Sequence, residues 1–473
     1  MKQAIIIGGG ITGLAAAYRL QSIAPDVNIT LIEQDARLGG KILTEQVNGF
    51  LIEGGPDSFL SRKPRGIGLC EELGLTAQFQ GRDPRHSKTF VRRHGALHPL
   101  PSGLTGMIPT NLDALTNSAL ISPEGKARLA QEPDLPPAPG QDDESVAHFV
   151  SRRLGREVYE NVVEPLMSGI YAGDGEQLSL GATFPQLRQL ELKYGSLIKG
   201  LLASRNSAGE ATGDYPPFVS LRSGMGELVT QLLARLTRTQ IKTGVAVQQV
   251  APANKGAGYR VILSDGQTLA ADALIMTTPA FATARLVAAI DQPLAAAHAA
   301  IPYASSATIS LSFAQADLSN PLDGYGYVVP RVEDTDVLAC TWTSRKWEGR
   351  APTDQVLIRV YVGRFGRPDV LQKSDVELLD MAATELRETL GITATAHTPR
   401  VYRWPLSMPQ YKVGHLSLLA QIEARLAQHP NLFVAGAAYR GVGIPDCILA
   451  GEQAAQGVAN YLRANLGRNQ FTC

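Results

Sequence analysis

The stretch AIIIGGGITGLAAAYRL, residues 4–20, decides the fold of the N-terminal region. Its first four residues are apolar, as a strand buried in a parallel sheet requires. Gly8, Gly10 and Gly13 follow with the spacing G-x-G-x-x-G, and a run of small apolar residues typical of a helix comes next. The three glycines allow a tight turn, a close approach of backbone to a pyrophosphate, and close contact between helix and strand. This order of elements predicts a Rossmann-type βαβ unit.

A second apolar run, residues 28–32, ends at Glu33. Glu33 stands about 20 residues after Gly13, where the acid that binds a ribose hydroxyl is expected in this unit. The intervening helix begins near Ile11 and Thr12, and its free N–H groups and positive dipole end would face the phosphates. The spacing of the glycines, the helix and Glu33 predicts a dinucleotide-binding site. The alternative is a glycine-rich turn that binds no ligand.

Composition narrows the classes of protein to consider. The 473 residues include 44 basic and 44 acidic side chains, so the formal net charge is zero, which argues against a nucleic-acid binder with a basic surface. The four cysteines form no CxxC and the histidines form no HExxH, so we predict no metal site and reduced thiols in a cytoplasmic protein. No charge-free apolar stretch of about 18 residues occurs, so no membrane span is expected.

The sequence RLGGK, residues 37–41, follows the ribose-binding acid. It resembles the Arg-x-Gly-Gly-Lys/Arg extension of the amine-oxidase-like flavoproteins, which favours FAD over NAD. Gly39 and Gly40 would let a second loop close on the pyrophosphate, and Arg37 could offset its charge, with Lys41 beside it. A surface position is the alternative interpretation of Arg37.

Distant segments resemble further parts of the FAD site in these flavoproteins. The loop at 53–57 resembles the segment beside the flavin ring, and a valine at the position of Val247 meets the adenine in the family. The segment 432–446 implies a strand, a glycine loop and a helix whose positive end faces the pyrimidine edge of the flavin. A capped structural helix is the alternative, and Trp404 and Tyr411 fit the core as well as the flavin site. The implied contacts are Gly54, Gly55, Pro56, Asp57, Val247, Trp404, Gly436, Gly443, Ile444 and Pro445.

Four segments narrow the resemblance: EGGPDSFL at 53–60, EPLMSGIYAGD at 164–174, SMPQY at 407–411 and GVGIPDC at 441–447. Together they resemble the oxygen-dependent protoporphyrinogen and coproporphyrinogen oxidases of haem biosynthesis, most closely the soluble Gram-positive branch. The resemblance implies six-electron oxidation of coproporphyrinogen III, and usually of protoporphyrinogen IX, with non-covalent FAD. Oxygen would be the acceptor and hydrogen peroxide the product. No acid–base residue is assigned, because the cofactor carries the chemistry.

The resemblance also implies the domain organisation. The expected fold class is α/β, with a Rossmann-type FAD-binding domain built from residues 1–82, 215–291 and 403–473. A helical domain at 83–214 and a mixed-sheet substrate domain at 292–402 are inserted into it. The helical domain of relatives touches membranes, whereas polar residues interrupt any apolar face here, so at most a weak peripheral contact is expected.

The substrate of this family carries four propionates, so a neutral protein must concentrate positive charge locally to bind it. The resemblance places Lys63 in the substrate cavity and Ile170 and Tyr361 on its wall. A basic run at 82–93 is a second candidate, with a solvated edge as the alternative. Expected partners are the porphyrinogen, oxygen and the next enzymes of the haem pathway.

Two competing functions remain open from the sequence. One is an amine oxidase or a carotenoid-desaturase-like enzyme on the same fold. The other is a non-catalytic protein that binds flavin or porphyrin and delivers it to an enzyme. Porphyrinogen turnover with release of peroxide distinguishes both from the porphyrinogen oxidase.

Overall fold

A five-stranded parallel sheet lies at the centre of the first unit of the fold. The computed structural model describes residues 1–473 except 106, 112, 116, 141–142, 208–214, 254–257 and 467–473. In spatial order the strands of this sheet are Thr239–Lys242, Val27–Ile32, Lys2–Ile7, Ala273–Met276 and Leu432–Val434. The expected α/β fold, with a Rossmann-type domain assembled from distant parts of the chain, is therefore confirmed.

Apolar contacts cover both faces of this sheet, as its fully buried strands require. One face packs against the helices Ile11–Ile23, Pro64–Glu72, Gly226–Arg235 and Ile444–Leu466. We call Ile11–Ile23 the phosphate helix and Ile444–Leu466 the closing helix. The other face packs against the strands Val247–Pro252, Tyr259–Leu263 and Thr268–Ala271 and the helices Ala280–Val287, Gln292–Ala299 and His415–Leu426. The predicted hairpin at the Asp-Gly turn is present, with antiparallel pairing of Tyr259–Leu263 and Thr268–Ala271.

The segment 241–247, which alternates like one strand, is divided in the structure. A turn separates the strands Thr239–Lys242 and Val247–Pro252, and Gly244 has a φ of +70° there. In this turn the Val245 N–H donates to the Glu33 carbonyl oxygen at 3.1 Å. The division follows from this long-range contact with the end of the second strand, which the alternation pattern alone does not encode.

A seven-stranded mixed sheet forms the second unit. Its spatial order is His397–Pro409, Tyr303–Ala314, Gln355–Val362, Val337–Thr341, Gly326–Val328, Phe90–Arg93 and Ala96–Pro99. The helix Asp375–Leu390, as predicted from its amphipathic pattern, packs on it through Leu378, Ala382 and Leu386. The strands at 90–99 lie within the range 83–214, so part of that range joins this sheet.

The rest of the range 83–214 is mainly helical. Its helices are Pro123–Ala130, Val146–Leu154, Arg156–Val158, the π-helix Tyr159–Val163, Glu164–Tyr171, Leu180–Thr183, Pro185–Tyr194 and Leu197–Ser207. The apolar pattern over 145–168 marks the buried face, and Gly155, with a φ of +96°, interrupts the helix. Arg153 and Glu132 form a buried ion pair in this bundle, and the Leu197 N–H of the last helix donates to the same Glu132 carboxylate at 2.8 Å. Among the described residues, no helix is both long and apolar enough to cross a bilayer.

Shorter elements connect these units. Strands Thr44–Val47 and Phe50–Glu53 form a hairpin, Leu104–Thr105 pairs with Ile108–Pro109, and Phe218–Leu221 lies between Phe59–Leu60 and Phe79–Gln80. The single-turn helix Thr343–Lys346 and seven 3₁₀ turns complete the described elements. The 3₁₀ turns are Thr76–Gln78, Pro84–His86, Asp113–Leu115, Glu132–Asp134, Gln315–Asp317, Arg331–Glu333 and Pro368–Gln372.

Candidate active site

The first glycine loop joins strand Lys2–Ile7 to the phosphate helix. Gly8 has a φ of +112°, a conformation that favours glycine. A Cβ at Gly13 would lie 1.9 Å from the Gly8 carbonyl oxygen, so helix and strand meet more closely than any side chain allows. A Cβ at Gly10, in contrast, would have only the Gly40 Cα as a neighbour, at 4.0 Å. The space beside Gly10 is therefore open, as a bound pyrophosphate requires.

The second glycine loop, residues 38–42, closes on the first. The Gly39 N–H donates to the Gly9 carbonyl oxygen at 2.8 Å, and a Cβ at Gly40 would lie 3.1 Å from the Gly10 Cα. Arg37 donates to the carbonyl oxygens of Ile42 and Gly40. In this structure the guanidinium thus shapes its own loop, and its contact with a pyrophosphate stays a prediction.

Glu33 organises the ribose end of the site. One carboxylate oxygen accepts from the Gly9 N–H at 2.6 Å and the other from the Asp35 N–H at 2.9 Å. In the neighbouring turn, the Gly244 N–H donates to the Asp35 carbonyl oxygen at 3.0 Å. This turn is followed by the strand that begins at Val247. Glu33 and Val247 therefore lie at the same end of the sheet, as the adenosine part of FAD requires.

Lys41 supplies a positive charge to the cleft. Its side chain is exposed and makes no ion pair within the described part of the chain. Nearby protein atoms nevertheless displace part of the water around its ammonium, which lowers the pKa of its amine, while the neighbouring Cys447 thiol opposes the shift. A cation without a protein counterion beside the glycine loops fits the negative charge of a diphosphate. Together with the open space beside Gly10, this makes the residues compatible with bound FAD.

The first two turns of the closing helix contact the N-terminus of the phosphate helix, with Cys447 hydrogen-bonded to Thr12. A Cβ at Gly451 would lie 2.3 Å from the Thr12 carbonyl oxygen, so the two helices are in backbone contact. Gly436, with a φ of +128°, would place a Cβ 3.7 Å from the Thr12 hydroxyl. Gly443, Ile444 and Pro445 then begin the closing helix. Two positive helix ends therefore converge on one cleft, which suits an anionic cofactor.

The predicted flavin loop, residues 54–57, is bonded to the seven-stranded sheet. The Gly54 carbonyl oxygen accepts from the Trp404 indole N–H at 2.8 Å and from the Thr308 hydroxyl at 3.0 Å. The Gly55 carbonyl oxygen accepts from the Arg359 guanidinium at 2.5 Å. Trp404 thus contacts the predicted flavin loop directly. Sequence reasoning missed Thr308 and Arg359, although a charge within the apolar strand Gln355–Val362 is a usable signal.

Asp57 and Glu53 fix the two ends of this loop. Asp57 accepts from the Lys346 ammonium and the Trp347 indole, each at 2.9 Å. Burial alone would raise the pKa of Asp57, yet Lys346 and Arg359 hold it well below its usual range. Glu53 accepts from the Met225 N–H at 2.8 Å, and burial raises its pKa. Pro56 lies between these anchors, so the loop has little freedom to move.

Tyr411 holds the segment that precedes the closing helix. Its hydroxyl donates to the Ala437 carbonyl oxygen at 2.5 Å and accepts from the Gly441 N–H at 2.9 Å. Its ring stacks on His415 with a centroid distance of 4.2 Å. Tyr411 is fully buried, so it is a core residue that also positions the predicted flavin-facing loop.

The predicted substrate residues lie in different surroundings in the structure. Ile170 is exposed, and Ala172, two residues later, packs in a small apolar cluster with Tyr361. Arg359 lies over the Tyr361 ring at 4.7 Å. Lys63 forms an ion pair with Asp446, with 2.5 Å between Nζ and Oδ2. The structure thus places Tyr361 in a cluster with Ala172, leaves the nearby Ile170 exposed outside that cluster, and places Lys63 at the start of the closing helix.

The basic run at 82–93 is largely neutralised by neighbouring groups. Arg85 pairs with Asp83, Lys88 with Asp323, and Arg93 with Glu333. Arg82 lies between the rings of Phe218 and Tyr325. These contacts favour the structural alternative for this run over a propionate site.

Comparisons with known proteins agree with this geometry. The family model described as flavin containing amine oxidoreductase matches residues 11–459. Coproporphyrinogen III oxidase of Bacillus subtilis (strain 168) is 37% identical over 470 residues, covering 98% of each chain. Coproporphyrinogen III oxidase of Staphylococcus aureus (strain NCTC 8325 / PS 47) is 35% identical, covering 97% of this chain and 99% of that protein. A crystal structure from Exiguobacterium sp. 255-15, provisionally assigned as a protoporphyrinogen oxidase, superposes with a TM-score of 0.87 at 34% identity, covering 97% and 99% of the two chains.

The chain therefore belongs to the flavin-containing amine oxidoreductases. Within that family it is a member of the group that contains the coproporphyrinogen III and protoporphyrinogen oxidases. The expectations of an FAD-dependent oxidoreductase and of this group are confirmed.

Proposed function

We propose that this enzyme oxidises coproporphyrinogen III to coproporphyrin III, with protoporphyrinogen IX as a second substrate. Identity of 37% to a coproporphyrinogen III oxidase over 98% of the chain is the observation that carries this proposal. The overall reaction consumes three oxygen molecules and releases three molecules of hydrogen peroxide, so that six electrons and six hydrogens leave the porphyrinogen. FAD supplies the two-electron acceptor for each round.

The protein's own part is to bind, orient and shield. Glu33 and the glycine loops would hold the adenosine and pyrophosphate of non-covalent FAD, and Lys41 would balance the charge of the pyrophosphate. The loop 54–57 would set the plane of the flavin ring, because Trp404 and Arg359 fix its carbonyl oxygens. We assign no acid–base residue, and the proton that leaves the porphyrinogen in each round together with a hydride equivalent would pass to water.

The substrate would lie beside the loop 54–57, over the seven-stranded sheet to which this loop is hydrogen-bonded. Ile170 and Tyr361 would contact the macrocycle, because Tyr361 packs in an apolar cluster with Ala172 and the exposed apolar side chain of Ile170 precedes Ala172 by two residues. Lys63 would bind a propionate, because its side chain is partly exposed at the edge of this cleft. The domain boundaries at 1–82, 215–291 and 403–473 for FAD, 83–214 for the helical part and 292–402 for substrate belong to the same proposal, except that the strands at 90–99 and the whole strand His397–Pro409 join the substrate sheet.

The test is a fluorescence assay of both porphyrinogens with hydrogen peroxide measured in parallel. We expect both porphyrins to form with three peroxides each, and faster turnover of coproporphyrinogen III. Amine turnover without porphyrinogen turnover would support the amine oxidase instead. Stoichiometric porphyrin binding without peroxide would support a carrier that hands porphyrin to the next enzyme of the pathway.

We also propose that the protein works in the cytoplasm with at most loose membrane contact. No helix among the described residues could span a bilayer, which agrees with this placement but does not test it. Cell fractionation at low and high salt measures it, and retention in the membrane fraction after a high-salt wash would contradict it.

A further inference from the structure

The ion pair between Lys63 and Asp446 carries an inference beyond the assigned contacts. We propose that Asp446 is a built-in competitor for Lys63, which it holds in the free enzyme and releases to a carboxylate of the substrate. This inference rests on the proposed function, in which Lys63 binds a propionate. It assigns Asp446 a role in setting how tightly the substrate is bound.

The pair lies where a ligand can reach it. The Lys63 Nζ is 2.5 Å from the Asp446 Oδ2, and the two side chains are 40% and 18% exposed. The lysine is thus the more accessible partner, and an incoming carboxylate approaches it from the solvent side. Ion pairs this exposed contribute little to stability, so exchanging one carboxylate for another costs little.

Asp446 is held in place independently of Lys63. The same Oδ2 accepts from the Gly443 N–H at 3.2 Å, and the carboxylate lies in the first turn of the closing helix, where the helix dipole stabilises it. A Cβ at Gly441 would lie 2.4 Å from the Asp446 Cγ, so the side chain is also enclosed. The carboxylate is therefore the fixed partner of the pair.

Lys63 is the partner that can move. It is the N-cap residue of the helix Pro64–Glu72, and its backbone is held there because the Gly66 N–H donates to its carbonyl oxygen at 3.2 Å. Its ammonium stands on a flexible four-carbon stem. Rotation of the stem is enough to carry the charge from Asp446 to a nearby propionate.

Arg62, beside Lys63, stays the alternative cation for the propionate, whereas Arg65 is held elsewhere. Arg65 donates to both carboxylate oxygens of Glu452 at 2.6 Å and to Glu72 at 2.8 Å. These bonds fix the guanidinium between the helix Pro64–Glu72 and the closing helix. Glu452 thus provides a matched control: it is another carboxylate of the closing helix that binds a cation from the same neighbouring helix.

The test measures equilibrium binding of coproporphyrin III to the oxidised holoenzyme by fluorescence quenching. In Asp446→Asn we expect the dissociation constant to fall about two- to fivefold, because Lys63 loses its competitor. Glu452→Gln should leave it unchanged. In the Lys63→Met background, which alone should weaken binding about fivefold or more, Asp446→Asn should have no effect. The ratio of flavin to protein absorbance checks that each variant retains FAD. If Asp446→Asn loses FAD, Asp446→Ser is used in its place, because the serine hydroxyl keeps an acceptor for the Gly443 N–H.

Each of the other possible results of these binding measurements contradicts a specific part of the inference. Unchanged or weaker binding in Asp446→Asn, with Lys63→Met still weakened, refutes the competitor and leaves the Lys63 contact standing. Equal tightening in the wild-type and Lys63→Met backgrounds refutes it too, because the effect would then be general electrostatics. Unchanged binding in Lys63→Met removes the propionate contact from the proposed function and the inference with it.

Discussion

The indole N–H of Trp404 donates a 2.8 Å hydrogen bond to the carbonyl oxygen of Gly54. These residues belong to different units: Trp404 to the edge strand of the seven-stranded sheet and Gly54 to the loop beside the glycine loops. The bond therefore couples the sheet beneath the substrate cleft to the predicted flavin loop.

We predict that Trp404→Phe loosens this loop without unfolding the protein. Thr308 still donates to the same oxygen, so one of two hydrogen bonds is lost. At about 0.5–1.5 kcal/mol per bond, the dissociation constant of FAD should rise about two- to twelvefold. Titration of apoprotein with FAD measures it, and the visible spectrum of bound flavin should shift. Thr308→Val should cause a loss of similar size, and wild-type FAD affinity in both variants would contradict the coupling.

Substitutions of Gly10 and Gly13, two glycines of the same motif, should affect different properties: one FAD binding and the other stability. Gly10→Val should leave the apoprotein folded, because its Cβ would meet only the Gly40 Cα at 4.0 Å, but should abolish FAD binding by filling the phosphate space. Gly13→Ala should lower the free energy of unfolding, because its Cβ would lie 1.9 Å from the Gly8 carbonyl oxygen. Melting temperatures of apoproteins and FAD titrations separate the two effects. A tight FAD complex of Gly10→Val would place the cofactor elsewhere.

Glu33→Ala should weaken FAD binding about 10- to 100-fold. The substitution removes the carboxylate that would accept from a ribose hydroxyl. The same carboxylate accepts from the Gly9 and Asp35 N–H groups, so the first glycine loop also loses two hydrogen bonds. Isothermal titration of apoprotein with FAD gives the dissociation constant. Asp35→Asn is the control, because the Asp35 residue is exposed and its hydrogen bonds to Glu33 and Gly244 come from its backbone. Equal losses in both variants would mean that only the local negative charge matters.

Acid precipitation should release all of the yellow colour, because we predict non-covalent FAD. Cys447 is the cysteine nearest the glycine loops, but it is buried, and burial raises the pKa of its thiol to about 11. Its thiol is therefore neutral at physiological pH and a poor nucleophile for attachment. Cys70 and Cys340 are also buried, and Cys473 lies outside the described residues. Flavin retained in the washed pellet would contradict the prediction.

His298 should make the protein sensitive to acid. The ring is fully buried, and burial lowers its pKa to about 4, against an unfolded value of about 6.5. The unfolded chain therefore gains a proton first, so this contribution to stability is present above pH 6.5 and is lost as the pH falls from about 6.5 to 4. The loss reaches about 3 kcal/mol at most.

Urea unfolding at several pH values measures this loss. His298→Gln should remove the corresponding part of the pH dependence, whereas His148→Gln should keep it, because the His148 side chain is 67% exposed. An unchanged slope between pH 6.5 and 4 in His298→Gln would assign the acid sensitivity to other groups.

Local patterns predicted much of the fold. The apolar run and glycines over 4–20 specify the strand, turn and phosphate helix, because each depends on neighbours in sequence. The helix Asp375–Leu390 followed from its amphipathic spacing in the same way. The turn at Gly244 did not, because it depends on backbone bonds to the segment after Glu33, more than 200 residues earlier.

The sequence could not predict those contacts of the site that join residues far apart in the chain. The glycine loops and Glu33 could be found from spacing, but the pairing of Lys63 with Asp446 joins residues 383 positions apart. Arg359 is buried and lies in an apolar strand, so its sequence context marked it as unusual without naming the Gly55 carbonyl oxygen as its partner. The first contact depends on how two helices pack together, and the second on how the loop 54–57 meets the seven-stranded sheet.

Backbone contact between Thr12 and Gly451 joins two helices whose residues are made at very different times. A ribosome completes residues 11–23 early and residues 444–466 near the close of synthesis, while earlier segments already fold. A growing polypeptide thus carries the glycine loops long before the closing helix can dock against them. Uptake of FAD at the proposed site would consequently be a late event in biogenesis, because a nascent chain that stops short of Gly451 would lack one wall of that site.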